Sequence, residues 1–258
     1  SLRKKATGFK TPLLLNDRLV FAQRRYCSHL RILPKFFPNI YEKCEFTEVG
    51  KRALLYRYPG VKSDAPTVLM SHFDVVSVEE SEWEKPAFEG IVENGVLWGR
   101  GTLDTKATLN GAMQALEALI AEGFVPENDI YFAFSGGEEV NGEGACRIVD
   151  ELKKRGVTPA LVLDEGGAVV EKVFPGVKRP CAVVGIAEKG LMDVRYTAKS
   201  SGGHASARKP NAPVDRLCAA CGKMLKSPFP AHLTPPAAEM FDTLGRYSSF
   251  AYKIIFSN

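Results

Sequence analysis

The residues best suited to chemistry in this chain follow its most apolar runs. The run "TVLMS" leads into His72 and Asp74, and "DIYFAFSGG" into Glu138 and Glu139. "ALVL" ends at Asp164 and Glu165, and Asp104 sits in "GRGTLDTKA" at the entrance to a helical pattern. In an open α/β sheet, ligands bind beyond the carboxyl ends of the strands. Six carboxylates and an imidazole would therefore meet at one sheet edge. Gathered there without a cation, like charges raise one another's pKa values, and desolvating each costs several kcal/mol. One or two divalent ions remove that difficulty. Mixed carboxylate and imidazole donors suit zinc, with cobalt or manganese as substitutes.

Each piece has a plainer reading when taken alone. His72 could be a satisfied strand-end histidine, and Asp104 could cap the helix just ahead of Thr105. Glu138 and Glu139 could form a solvated turn, and Asp164 could simply begin the turn at "EGG". Their shared position at strand ends is what favours a metal site. A serine hydrolase is disfavoured, because "AFSGG" lacks the first glycine of the G-x-S-x-G elbow and a charged pair comes directly after it.

Positioning these groups requires strands alternating with helices. "RALLYRYP", "TVLMS", "DIYFAFS" and "ALVLDE" read as strands, and "GIVENGVLWGR" as a hairpin turning at Glu93-Asn94-Gly95. "TKATLNGAMQALEALIAEG" carries Leu109, Met113, Leu116, Leu119 and Ile120 at helical spacing, and "GEGACRIVDELKKRG" reads as a second helix. The predicted class is α/β, with a mostly parallel sheet flanked by helices. After Gly185 the pattern changes. "AEKGLMDVRYTAKS" alternates like a half-exposed strand, an Ala/Pro-opened helix comes next, and a last helical segment ends in "YKIIFSN". A boundary near residue 188 separates a catalytic domain, 1–187, from a smaller α+β domain, 188–258.

Composition bounds the function classes. The chain has 258 residues, 45% apolar and 25% charged, with a net charge of +4. Its basic residues concentrate only in "SLRKK", read as a solvated end, so nucleic acid is not an expected partner. No apolar run approaches the roughly 18 residues that would span a bilayer. Six cysteines are too few for a disulfide scaffold, and Cys218 and Cys221 read as reduced, semi-buried helix residues. With no N-x-S/T sequon and no leader pattern, a cytoplasmic protein is expected.

In order, "SHFDVV", "GRGTLDTKA", "SGGEEVNGEGA", "LDEGG" and "SGGHAS" resemble the signature blocks of the dinuclear zinc carboxypeptidase and aminoacylase family. That family includes carboxypeptidase S, Gly-Xaa carboxypeptidase, the aminoacylases, carnosinase, acetylornithine deacetylase and succinyl-diaminopimelate desuccinylase. The "DEGG", "AEKG" and "LTPPAAEMF" segments look closest to the carboxypeptidase S and N-acyl-amino-acid hydrolase branch. The resemblance runs from about Leu54 to the end and leaves the first fifty residues without a role.

The resemblance implies two Zn2+ ions and roles for named residues. His72 would bind one ion together with Asp164 or Glu165, Asp104 would bridge both, and Glu139 would bind the second. Asp74 would hydrogen-bond His72 and fix its tautomer. Glu138 would be the general base, and His204 would donate to the oxyanion. It also implies that the second domain is an inserted lid through which a homodimer forms. The substrate would be a small peptide or an N-acyl amino acid, and an inactive binding homologue is the rival reading. The family takes a further metal histidine from a segment beyond the lid. Neither His232 nor His29 matches that motif, so a C-terminally incomplete chain is expected.

Overall fold

The computed structural model describes residues 32–140, 142–187, 190, 192–207 and 209–256. The "SLRKK" end, Cys27, His29, Asn141 and part of the "AEKG" segment lie outside the described residues. The chain divides into two compact units, Ser1–Glu165 and Gly166–Asn258. The boundary expected near residue 188 thus falls inside the second unit.

The first unit is built on five strands: β1 (Glu45–Glu48), β2 (Ala53–Tyr58), β3 (Lys62–His72), β6 (Asn128–Ser135) and β7 (Leu161–Leu163). Their order is β1-β2-β6-β3-β7. The half of the sheet beside β3 is parallel, since β6 and β7 both run with it. β1 and β2 are antiparallel additions. The short link from Glu48 to Ala53 leaves room only for a reversal. Between β3 and β6, the expected hairpin forms β4 (Ile91–Glu93) and β5 (Val96–Trp98), turning at Asn94 and Gly95, both at positive φ.

Helices cover both faces, as a buried parallel sheet demands. On one face α2 (Ala107–Ala121) turns Leu109, Met113, Leu116 and Ile120 inward against Tyr56, Phe132 and Phe134. Leu119, also expected on that face, is partly exposed. Leu33, Phe37 and Ile40 complete this core, so part of the unassigned N-terminal stretch has a structural role. The short helix α1 (Pro38–Lys43) is pinned by Glu117 of α2. That carboxylate accepts the Asn39 and Ile40 backbone N–H groups at 3.0 Å each and the Asn39 side-chain amide at 2.8 Å. On the opposite face, Ile148 and Leu152 of α3 (Gly144–Lys154) pack on Ala53, Leu55, Val68, Tyr131 and Ala133. Each large side chain buried this way contributes about 1.5–3 kcal/mol. Near the other end of the sheet Asp129 is buried. It accepts 2.8 Å bonds from Arg57 Nε and the Gly60 N–H, which together hold its pKa down against the upward push of burial.

Several expectations need correction. β7 pairs with β3 along one side, and Leu161, Val162 and Leu163 are exposed rather than buried. In the second unit, residues 192–200 form no strand, because no described neighbour pairs with them and an isolated strand leaves its backbone donors unsatisfied. That unit contains β8 (Ala168–Val170) paired with β9 (Cys181–Val183), then α4 (Pro213–Lys226). The last helical segment is two helices, α5 (Pro235–Arg246) and α6 (Phe250–Phe256). Cys218 and Cys221 are free thiols as expected, but they are exposed, since α4 buries none of its residues. Among the described residues no helix is long and apolar enough to cross a membrane.

Candidate metal centre

The parallel register of β3 and β6 sets the site. His72, the last residue of β3, stands beside Ser135, the last of β6, and the pairing continues with the Phe73 N–H donating to the Ser135 carbonyl at 2.9 Å. The loop after β6 turns back immediately. Gly137 lies at φ 103°, where a side chain would be strained, and its carbonyl accepts from the Gly142 N–H at 2.6 Å. Glu138 and Glu139 sit on that bend. The Asp74 carboxylate fixes them by accepting the Glu138 N–H on one oxygen and the Glu139 N–H on the other, both at 3.2 Å.

A third segment arrives from "GRGTLDTKA". Asp104 is not a helix cap: its backbone is extended (φ −111°, ψ 97°), and α2 begins only at Ala107 with no side-chain cap. The neighbouring Thr105 is buried, and its hydroxyl joins this segment to β3. Thr105 Oγ1 accepts from the His72 N–H and donates to the His72 carbonyl, each at 3.2 Å. Glu165, two residues past β7, closes the cluster.

The buried His72 is the hub. Its Nδ1 lies 3.1 Å from the backbone carbonyl of Asp74, which can only accept, so the ring proton belongs on Nδ1. The Asp74 carboxylate is slightly farther from Nδ1, at 3.4 Å. The Nε2 lone pair then faces Asp104 at 3.0 Å, Glu165 at 3.4 Å and Glu138 at 3.9 Å. A lone pair facing carboxylate oxygens repels them unless a proton or a metal cation lies between. Donor atoms of His72, Glu138 and Glu165 lie within 4.8 Å of one another, as do those of His72, Asp104 and Glu139. These two overlapping sets, carboxylate-rich with one imidazole, fit divalent ions such as zinc.

The electrostatics match that crowding. Burial pushes the Glu165 carboxyl up to about 7 against the opposing pull of His72, and repulsion from Asp104, Asp164 and Glu138 adds to the rise. Glu138 is raised by burial and by Glu139, Asp74 and Asp104. For His72, burial works against the charged form, but Glu165, Asp104, Asp74 and Glu138 overcome it and raise the pKa.

Of the residues selected from sequence, His72, Asp74, Asp104, Glu138, Glu139 and Glu165 come together at this edge. Asp164 is exposed beside it and belongs to neither donor set. His204 lies in the second unit, where Nδ1 meets the Ser206 hydroxyl at 2.7 Å and accepts from the Ser206 N–H at 3.3 Å. Two residues were missed, Thr105 and Lys106. Their only signal was two polar side chains wedged between Asp104 and an apolar helix face.

The sequence profile of Peptidase family M20/M25/M40 matches residues 68–255. A probable carboxypeptidase S-like 2 from Dictyostelium discoideum is 32% identical over 260 residues, covering 98% of this chain and 50% of that protein. The human N-fatty-acyl-amino acid synthase/hydrolase PM20D1 is 34% identical over 194 residues, covering 75% and 39%. The chain thus spans half or less of the length of these curated relatives. Among solved structures, human carnosine dipeptidase 1 aligns with a TM-score of 0.47 and 16% identity over 59% of this chain and 37% of that one.

Proposed function

The chain belongs to peptidase family M20/M25/M40, and from that premise we propose that it carries most of the metal centre of a hydrolase. The reaction is cleavage of the amide bond of a dipeptide or N-acyl amino acid. One observation carries this reading: His72 turns Nδ1 to the Asp74 carbonyl and Nε2 toward Asp104, Glu165 and Glu138, all within 3.9 Å. The names of the similar proteins, a carboxypeptidase and an N-fatty-acyl-amino acid hydrolase, support the substrate class.

His72, Asp104, Glu139 and Glu165 would hold two divalent ions. Once bound, such ions polarise a carbonyl and acidify water toward neutrality. The protein's own groups do the rest. Asp74 orients the Glu138–Glu139 bend through two backbone bonds and fixes His72 through its own carbonyl. The Glu138 carboxylate, half-exposed at the mouth, takes the proton from the attacking water and returns it to the leaving amine. The second unit would act as a lid and form a homodimer, and His204 would reach the partner's site. With Nδ1 accepting from Ser206, its proton lies on Nε2, the atom that would donate to the oxyanion.

The test is a hydrolysis panel on the whole protein, using Gly-Xaa dipeptides, N-acetyl and N-fatty-acyl amino acids with zinc, cobalt or manganese. Metal-dependent release of a free amino acid is expected. Undiminished hydrolysis by protein stripped of metal would overturn the assignment. Tight metal binding without hydrolysis of any panel member would point instead to a binding homologue.

A further inference from the structure

β3 outruns one of its two neighbours. It pairs with β6 as far as His72 and Ser135, but with β7 only through Thr67, Val68 and Leu69. Backbone groups of successive strand residues point to alternate sides. The Phe73 N–H faces β6, so the N–H and carbonyl of His72 face the side where β7 has already ended. His72 is buried, and these two groups need partners within the protein. The buried Thr105 hydroxyl is that partner, accepting from the N–H and donating to the carbonyl at 3.2 Å each. One hydroxyl can accept and donate at once, so it stands in for the strand residue that β7 lacks.

The segment that carries Thr105 is fitted at a second point. Gly101 lies at φ 78°, and a Cβ there would stand 2.2 Å from Val75 Cγ1 and 2.8 Å from Lys106 Nζ. Its carbonyl accepts the Lys106 N–H at 3.1 Å, closing a tight turn. Asp104 lies between the two points, one residue before Thr105. Its carboxylate is largely exposed, and among the described residues its hydrogen-bond partner is His72 Nε2, at 3.0 Å. Where Asp104 stands therefore depends on where the backbone of this segment is fastened.

Resting on the proposed metal centre, we propose that Thr105 is a positioning residue for that centre. Its hydroxyl fastens the segment to the end of β3 and so sets Asp104 beside His72, as one candidate donor set requires. With that hydroxyl occupied by the His72 backbone, Thr105 is not itself a ligand. Without it, two buried backbone groups lose their partner and the segment no longer holds Asp104 at its spacing.

The test compares wild-type protein with T105V, which keeps the shape of the side chain and removes its hydroxyl, and with T105S, which keeps the hydroxyl. Zinc affinity is read by competition with a chromophoric chelator, beside thermal melting in excess chelator. T105V should bind zinc at least about tenfold more weakly, while T105S stays within about threefold of wild type. E117A, which removes the carboxylate pinning α1 in the same unit, is the reference for lost stability and should keep wild-type affinity. Wild-type affinity in T105V, or an equal loss in E117A, would assign Thr105 to stability alone and overturn the proposal. So would a T105S protein as weak as T105V. Should T105V not fold, T105A is read in the same way. Wild-type protein that binds no zinc would instead overturn the metal reading on which the proposal rests.

Discussion

Replacing Asp74 with asparagine separates the two tasks that this residue performs. Its carboxylate accepts two backbone N–H groups, from Glu138 and Glu139, at 3.2 Å each. An amide can accept only one of them and turns its own NH2 toward the other. Hydrogen bonds to a charged acceptor contribute about 1.5–3 kcal/mol, and a neutral one about 1 kcal/mol. Losing one charged bond, weakening the second and opposing two donors should cost about 2 kcal/mol. That loosens the bend carrying Glu139, so zinc affinity should fall by about 30-fold at roughly 1.4 kcal/mol per decade. The range of 10–100-fold is usual for groups that orient metal ligands. The His72 tautomer should not change, because the atom nearest Nδ1 is the Asp74 backbone carbonyl, which the substitution leaves in place. Chelator competition measures the affinity, and nitrogen-15 shifts of the imidazole report the tautomer in metal-free protein. Unchanged affinity would refute the view that Asp74 acts through the bend. A shift of the proton from Nδ1 to Nε2 would show that the carboxylate, at 3.4 Å, governs the ring after all.

Glu138→Gln should keep its metal while losing about 10²–10⁴ in kcat, whereas Glu139→Gln should chiefly lose metal affinity; exchanged phenotypes would reverse the two roles. Glu117→Ala strands the two backbone donors at the start of α1 and should lower unfolding free energy by about 2–3 kcal/mol, read from urea denaturation. Asp129 titrates lower in the folded protein than in the unfolded chain, so its stabilisation is complete above about pH 4 and is lost as pH falls through its folded pKa. Asp129→Asn should therefore be less stable at pH 7 and lack that part of the acid transition, which melting curves between about pH 2 and pH 7 would reveal.

The gathering of the candidate donors was legible because strand ends are. Apolar runs such as "TVLMS" and "DIYFAFS" mark buried strands by composition alone, and the residues just after each run must sit at the sheet edge. That logic finds His72, Asp74, Glu138, Glu139 and the Asp164–Glu165 pair without reference to any contact. It could not choose between Asp164 and Glu165. The choice depends on where the short β7 stops relative to β3, and register is a property of the pair rather than of either strand. The exposure of β7 was equally hidden, because "ALVL" reads the same on a covered face and on an open edge. Thr105 and Lys106 were beyond reach for a different reason. A hydroxyl that bonds both backbone groups of a residue 33 positions away leaves no periodicity in the sequence, nor does an ammonium seated over a glycine. Both arise where the segment before α2 meets the end of β3. At that meeting the Thr105 hydroxyl ties the segment to both backbone groups of His72, and the neighbouring Asp104 stands 3.0 Å from His72 Nε2. The strand ends select the candidate donors, and this third segment sets the spacing between them.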